Sequence, residues 1–115
     1  MLIKENNIHI PYYVVIFVSK RTNGDNGYAE MGQLMVDLAS KQKGFLGIES
    51  VRDDELGITL SYWNSLEAIE HWKKHSVHKL AQHKGKEDWY ENFAIKVCRV
   101  ERHSFFEKDR AGKRS

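Results

Sequence analysis

Tyr12-Tyr13-Val14-Val15-Ile16-Phe17-Val18 is the stretch that decides the fold. Both alternating sets, Tyr13, Val15 and Phe17 on one side and Tyr12, Val14, Ile16 and Val18 on the other, are β-branched or aromatic. That pattern predicts a strand with two apolar faces, each of which needs a cover. Pro11 precedes it, and the polar segment Arg21-Thr22-Asn23-Gly24-Asp25-Asn26-Gly27 follows it. Asp25 and Asn26 are good helix N-caps, because a short side-chain oxygen accepts from an unpaired first-turn N–H. Tyr28, Met31, Leu34, Met35 and Leu38 then recur at helical spacing, with Glu30, Gln33, Asp37 and Lys41 between them. This is an amphipathic helix, with Lys43 and Gly44 as its expected basic last turn and C-terminal glycine.

Phe45 to Arg52 and Gly57 to Trp63 read as two further strands, joined as a hairpin through Asp53-Asp54-Glu55. Asn64-Ser65-Leu66-Glu67 resembles a capping box, and a helical pattern continues through Leu66, Ile69 and Trp72 towards Leu80. Ser76 is placed to cap a second helix, which predicts a break near His75. Gly85 is expected to interrupt the chain before a short helix at Glu87-Asp88-Trp89-Tyr90. Phe93 to Phe106 reads as a final long strand, with Cys98 as a small core residue. The order βαββαβ is the ferredoxin-like α+β pattern, an antiparallel four-stranded sheet with two helical segments on one face. The second apolar face of the first strand needs a cover, which either a second copy of the chain or bulky residues of neighbouring strands and the N-terminal arm would supply. The expectation is a homodimer with two sheets packed face to face. Residues 1–11 read as an N-terminal arm, 12–106 as the domain, and 107–115 as a charged, frayed tail.

At 115 residues the chain makes one domain, and 41% hydrophobic with 30% charged residues is a globular composition. A formal net charge of +2 makes no case for a nucleic-acid or membrane-surface partner. The lone Cys98 excludes an internal disulfide and a thiolate zinc site. The apolar run at 12–18 is far short of the roughly 20 residues that span a bilayer. Met1 to Asn7 has no apolar signal region, so the cytoplasm is the expected compartment.

The densest chemistry lies between His71 and His83, where four of the chain's 6 histidines fall. On one continuous helix His71, His75 and His78 share a narrow arc, away from the apolar side marked by Ile69, Trp72, Ser76 and Leu80. No Asp or Glu joins them at ligand spacing, so a solvated face is expected and no metal site is assigned. His83 follows Trp72 by close to three turns, which places both towards the core of an unbroken helix. An indole beside an imidazole suits a planar aromatic ligand, and Trp63, Trp89, Tyr62 and Tyr90 add aromatic lining. No GxSxG, P-loop or GxGxxG motif is present.

Strand order and the run Ser61-Tyr62-Trp63-Asn64-Ser65-Leu66-Glu67-Ala68-Ile69, followed by Trp72 and His75, resemble the antibiotic biosynthesis monooxygenase family of dimeric α+β barrels. The similarity extends from Tyr12 to Phe105. It implies a pocket between sheet and helices in each subunit of a homodimer. Some members of that family oxygenate aromatic polyketides without metal, flavin or other prosthetic group. The resemblance thus implies a cofactor-independent monooxygenase acting with O2 on a small aromatic or polyketide-like substrate. In that reading His75 or His78 is the catalytic base, Trp72 a stacking wall, and Arg21 or Lys73 an enolate stabiliser. His83, Trp89, Trp72 and Arg21 form the substrate-binding set. Other relatives bind or degrade haem, using a helix tryptophan, a histidine about ten residues later and a first-strand asparagine. Trp72 matches the tryptophan, but Gln82 stands ten residues on with His83 beyond it, and Phe17 lies near the asparagine's place. A non-catalytic module for a small hydrophobic ligand is the third reading.

Overall fold

The computed structural model of the chain describes residues 8–108. Residues 1–7 of the expected arm and 109–115 of the expected tail lie outside the described residues. The elements run β1 (Tyr12–Arg21), α1 (Tyr28–Ala39), β2 (Phe45–Arg52), β3 (Gly57–Trp63), α2 (Leu66–Lys73), α3 (Ser76–Lys84), a π-helical turn (Gly85–Trp89) and β4 (Tyr90–Val100). The four strands form one antiparallel sheet in the order β2-β3-β1-β4. This is the ferredoxin-like α+β architecture that the element order predicts.

β2 and β3 have the bounds expected from sequence. β1 runs past Val18 to Arg21 because the start of β4 supplies partners, with Ser19 opposite Phe93 and Arg21 opposite Tyr90. β4 ends at Val100 instead of Phe106. Its last partner is Tyr12, and the preceding Pro11 has no N–H with which to extend the ladder. The chain then folds back over the strand end, where Tyr12 Oη and His103 Nδ1 are 2.8 Å apart.

α1 stops at Ala39, five residues before the expected glycine. Asp25 anchors its start: the carboxylate accepts from the N–H groups of Gly27 (3.0 Å) and Ala29 (3.1 Å). Gly44 serves the turn into β2, at φ +91°, and its carbonyl accepts from Asn64 N–H at 2.8 Å. Ser65, not Asn64, caps α2, its hydroxyl accepting from Ala68 N–H at 3.1 Å. The helix breaks after Lys73, and His75, not Ser76, is the N-cap of α3, with Nδ1 accepting from Val77 N–H at 3.2 Å. Gly85 does not interrupt. It stays in the right-handed helical region, and the helix widens into the π turn.

Strand register assigns the two sheet faces. Tyr13, Val15, Phe17 and Ser19 of β1 lie level with Trp63, Ser61, Thr59 and Gly57 of β3 beneath the helices. Trp63, 1% exposed, packs there with Ala39 and Ile69, and with Phe45 at 5.3 Å between ring centroids. Tyr12, Val14, Ile16 and Val18 face the other way, in register with Tyr62, Leu60 and Ile58. Cys98 pairs with Val14 on that helix-free side of edge strand β4 and is exposed, which corrects its expected place in the core.

Candidate active site

The break between α2 and α3 builds the site. Trp72 closes α2, and α3 starts anew with its own cap, turned so that His78, Ala81 and Gln82 face the sheet. Between these helices and the sheet lies a cavity of about 400 Å³, within the usual range for small-molecule sites. Ile95 of edge strand β4 lines it while remaining 47% exposed, so the cavity opens on that side.

One wall is a stack of π systems. The indoles of Trp63 and Trp72 lie 6.4 Å apart at 26°, and the ring of His78 covers Trp72 at 4.7 Å and 11°. His78 Nδ1 is 3.1 Å from the Trp72 carbonyl oxygen. That oxygen can only accept, so Nδ1 carries the proton and Nε2 keeps its lone pair. Burial lowers the pKa of His78, outweighing the hydrogen bond to Trp72, so the ring is neutral at pH 7. A neutral imidazole fixed in one tautomer and seated on an indole is equipped to take a proton from a bound ligand.

The π turn supplies the opposite wall. It brings Trp89 into the interior, 4% exposed, with its indole N–H donating to the Asn26 carbonyl at 2.9 Å. Arg21 and Thr22 hold the end of this turn. Arg21 Nε and Thr22 N–H donate to the Trp89 carbonyl at 3.1 and 2.9 Å, and Thr22 Oγ1 donates to the Asp88 carbonyl at 2.6 Å. These bonds satisfy carbonyls that a helix end leaves unpaired. The Arg21 guanidinium also lies 3.6 Å from the centroid of the Tyr28 ring. Tyr28 and Tyr90 meet edge to face at 5.9 Å, and both line the cavity. Burial, then the hydrogen bond with Tyr28, raises the pKa of Tyr90 well above that of an ordinary phenol, so it stays protonated.

Of the residues singled out from sequence, Trp63, Trp72, His78, Trp89 and Tyr90 line the cavity, whereas Tyr62 lies on the helix-free sheet face level with Val14 and donates its hydroxyl to Glu49. His75, His83, Arg21 and Lys73 do not line it. His75 is spent as a helix cap, and Arg21 positions Trp89 and Tyr28 from behind. His83 faces solvent and pairs with Glu87 at 3.4 Å. Its expected inward position assumed an unbroken helix; the break rotates α3 and puts Gln82 inside. His83 therefore does not line the cavity, and His78 is the histidine that does. Leu80, expected on the apolar side, is 54% exposed for the same reason. Among the described residues no three His, Cys, Asp or Glu side chains converge as a metal site. Sequence reasoning missed Arg52, Tyr28, Ser61 and Gln82 as lining residues. A helical wheel restarted at Ser76 would have found Gln82.

A four-stranded antiparallel sheet roofed by a broken helix, with an aromatic cavity between, defines a ferredoxin-like α+β domain. The sequence matches the antibiotic biosynthesis monooxygenase family model over residues 11–84, and the chain belongs to that family. It is 49% identical over 100 residues to YqjZ, an uncharacterized protein of Bacillus subtilis strain 168, covering 86% of this chain and 88% of that one. Two solved structures share the fold at low identity. SnoaB, a cofactor-independent oxygenase from Streptomyces nogalater, superposes with a TM-score of 0.71 at 9% identity, covering 84% of this chain and 98% of that one. PA3566 from Pseudomonas aeruginosa gives 0.64 at 16% identity, covering 86% and 100%. No helix among the described residues is long and apolar enough to cross a membrane.

Proposed function

We propose that the protein is a cofactor-independent monooxygenase that acts with O2 on a small aromatic, polyketide-like substrate. The observation that carries this reading is His78: a half-buried neutral imidazole with a fixed tautomer, stacked on Trp72 in the wall of an aromatic cavity. The substrate ring lies against the indoles, and His78 Nε2 removes a proton from an activated C–H. The resulting carbanion passes an electron to O2, and the two radicals join as a carbon-bound peroxide. Loss of water, taking one peroxide oxygen and both protons of the original CH2, leaves a ketone. O2 is the oxidant, and no other electron donor enters. Family membership supports the reaction class.

An oxygen electrode with a tricyclic anthrone and metal-stripped protein tests the proposal. Turnover above the buffer rate is expected, falling about 100-fold or more in His78→Ala. No protein-dependent oxygen uptake, or an undiminished rate in His78→Ala, refutes it; binding without turnover would instead favour a non-catalytic module.

The same reading includes a homodimer in the cytoplasm. Val51 and Val18 of the helix-free sheet face are level with Ile58, and Val51 is 68% exposed. A second sheet laid against this face removes that apolar surface from water. Sedimentation equilibrium at micromolar concentration should give twice the chain mass, and a monomer there refutes the dimer.

A further inference from the structure

Arg52 is the one Asp, Glu, Lys or Arg among the cavity-lining residues. The sheet is arranged to hold it there. Arg52 pairs with Gly57 across β2 and β3, and Gly57 pairs with Ser19 across β3 and β1. The three residues form a row across the sheet on its helix-covered face. A Cβ on Gly57 would collide with the Arg52 guanidinium, so the missing side chain is what lets the arginine lie flat across β3. Its Nη2 donates to Ser19 Oγ, a hydroxyl only 1% exposed. Its Nη1 is buried and has no hydrogen-bond partner among the described residues. The adjacent carboxylate, Asp53, does not fill that role. Its Oδ1 accepts from the Glu55 and Leu56 N–H groups at 2.7 and 2.8 Å, inside the hairpin turn. Tyr28, whose ring centroid is 6.0 Å from Arg52, flanks the guanidinium, and Tyr90 sits beside Tyr28.

Arg52 lines the cavity, and a cation N–H left unpaired costs stability unless something that binds there pairs with the guanidinium. An anionic oxygen is the group that a guanidinium nitrogen pairs with best. We propose that Arg52 is the anion-recognition residue of this cavity, so that its ligand is an aromatic molecule bearing an ionised oxygen, a carboxylate or a phenolate-type enolate. The inference rests on the cavity being an aromatic-ligand site, as the proposed function requires. It adds the charge of the ligand and the residue that reads it.

Calorimetric titration with matched pairs of probes tests this. 2-Naphthoate is compared with the neutral 2-naphthamide, and 4-nitrophenolate with 4-nitroanisole at mildly alkaline pH. The charged member of at least one pair should bind about tenfold tighter or better, and the pair that shows it identifies carboxylate or phenolate as the preferred source. In Arg52→Met, and in Arg52→Gln, which keeps a donor for Ser19, that ratio should fall to near one while the neutral probes bind as before. Equal binding within both pairs by the wild-type protein overturns the inference, and this arm needs no variant to fold. A preference that survives in a folded Arg52 variant overturns it too. If the neutral probes bind and only the charge preference is missing, the aromatic-cavity reading stands without it. If no probe binds, both fall.

Discussion

Replacing Gly44 by alanine tests how the helix that carries Trp72 is seated. Gly44 has φ +91°, a region that an L side chain enters at a cost of about 1–2 kcal/mol. The new Cβ would also lie 2.6 Å from Ala68 Cβ and 2.6 Å from Asn64 Oδ1, far inside van der Waals contact. Overpacking of this kind costs about 1–3 kcal/mol. Neither neighbour moves freely: Asn64 N–H is bonded to the Gly44 carbonyl, and Ala68 N–H to the Ser65 cap. The loss should therefore total about 2–5 kcal/mol, against the roughly 5–15 kcal/mol that holds a domain of this kind together. Gly27→Ala is the control, because Gly27 also has positive φ (+83°) but open space within 4 Å. It should lose only the backbone part. Urea unfolding followed by tryptophan fluorescence and far-ultraviolet circular dichroism measures both. Gly44→Ala should have the lower midpoint, with the difference between the variants giving the steric contribution at the start of α2. If the two variants lose the same amount, the claimed close seating of α2 against the β2 entry is wrong.

His78 makes stability depend on pH in a defined direction. Its folded-state pKa lies below the roughly 6.5 of a free imidazole, so the unfolded chain takes up the proton first as pH falls. Stability contributed by the neutral half-buried ring is fully present above pH 6.5, declines below it, and levels off under the folded pKa; urea titrations of His78→Gln should show a flatter profile over that window. Trp63→Ala, at a site 1% exposed with its indole N–H on Ser61 Oγ at 3.0 Å, should cost about 3–5 kcal/mol by the same assay. A loss under about 1 kcal/mol would mean that the core is not centred there. Ser65→Ala removes the α2 cap and should cost about 1 kcal/mol, with Ser65→Asp recovering most of it.

The fold was legible because its signals are local. The polar Asp53-Asp54-Glu55 turn marked the hairpin of β2 and β3, and helical spacing with a polar residue at Ser76 announced a break near His75. Element ends were less legible wherever a partner strand sets them. β1 reaches Arg21 only because β4 begins at Tyr90, and β4 stops at Val100 because Tyr12 has no paired predecessor. Glycine was ambiguous for a different reason. At Gly85 it reads as a breaker, yet the backbone stays helical there, and a Cβ would come within 3.0 Å of the Tyr90 ring. The residue is kept small by crowding, not by a turn.

The site was half legible, and the division follows the range of the interactions. Trp72, His78 and Trp89 are aromatic groups on recognisable elements, so their chemistry could be read without knowing their neighbours. Arg52 could not. Beside Asp53-Asp54-Glu55 it looks like one more solvated charge at a hairpin. Its proposed role depends on the register that lines it up with Gly57 and, two strands away, with Ser19. Nothing within several residues of Arg52 encodes that row. An unpartnered buried guanidinium nitrogen is also a local fault by the rules of folding, since an apolar side chain of similar length would fill the same space without an unmet donor. Positions where the sequence departs from the most stable choice are where a binding site is expected, because the missing partner is then supplied by the ligand.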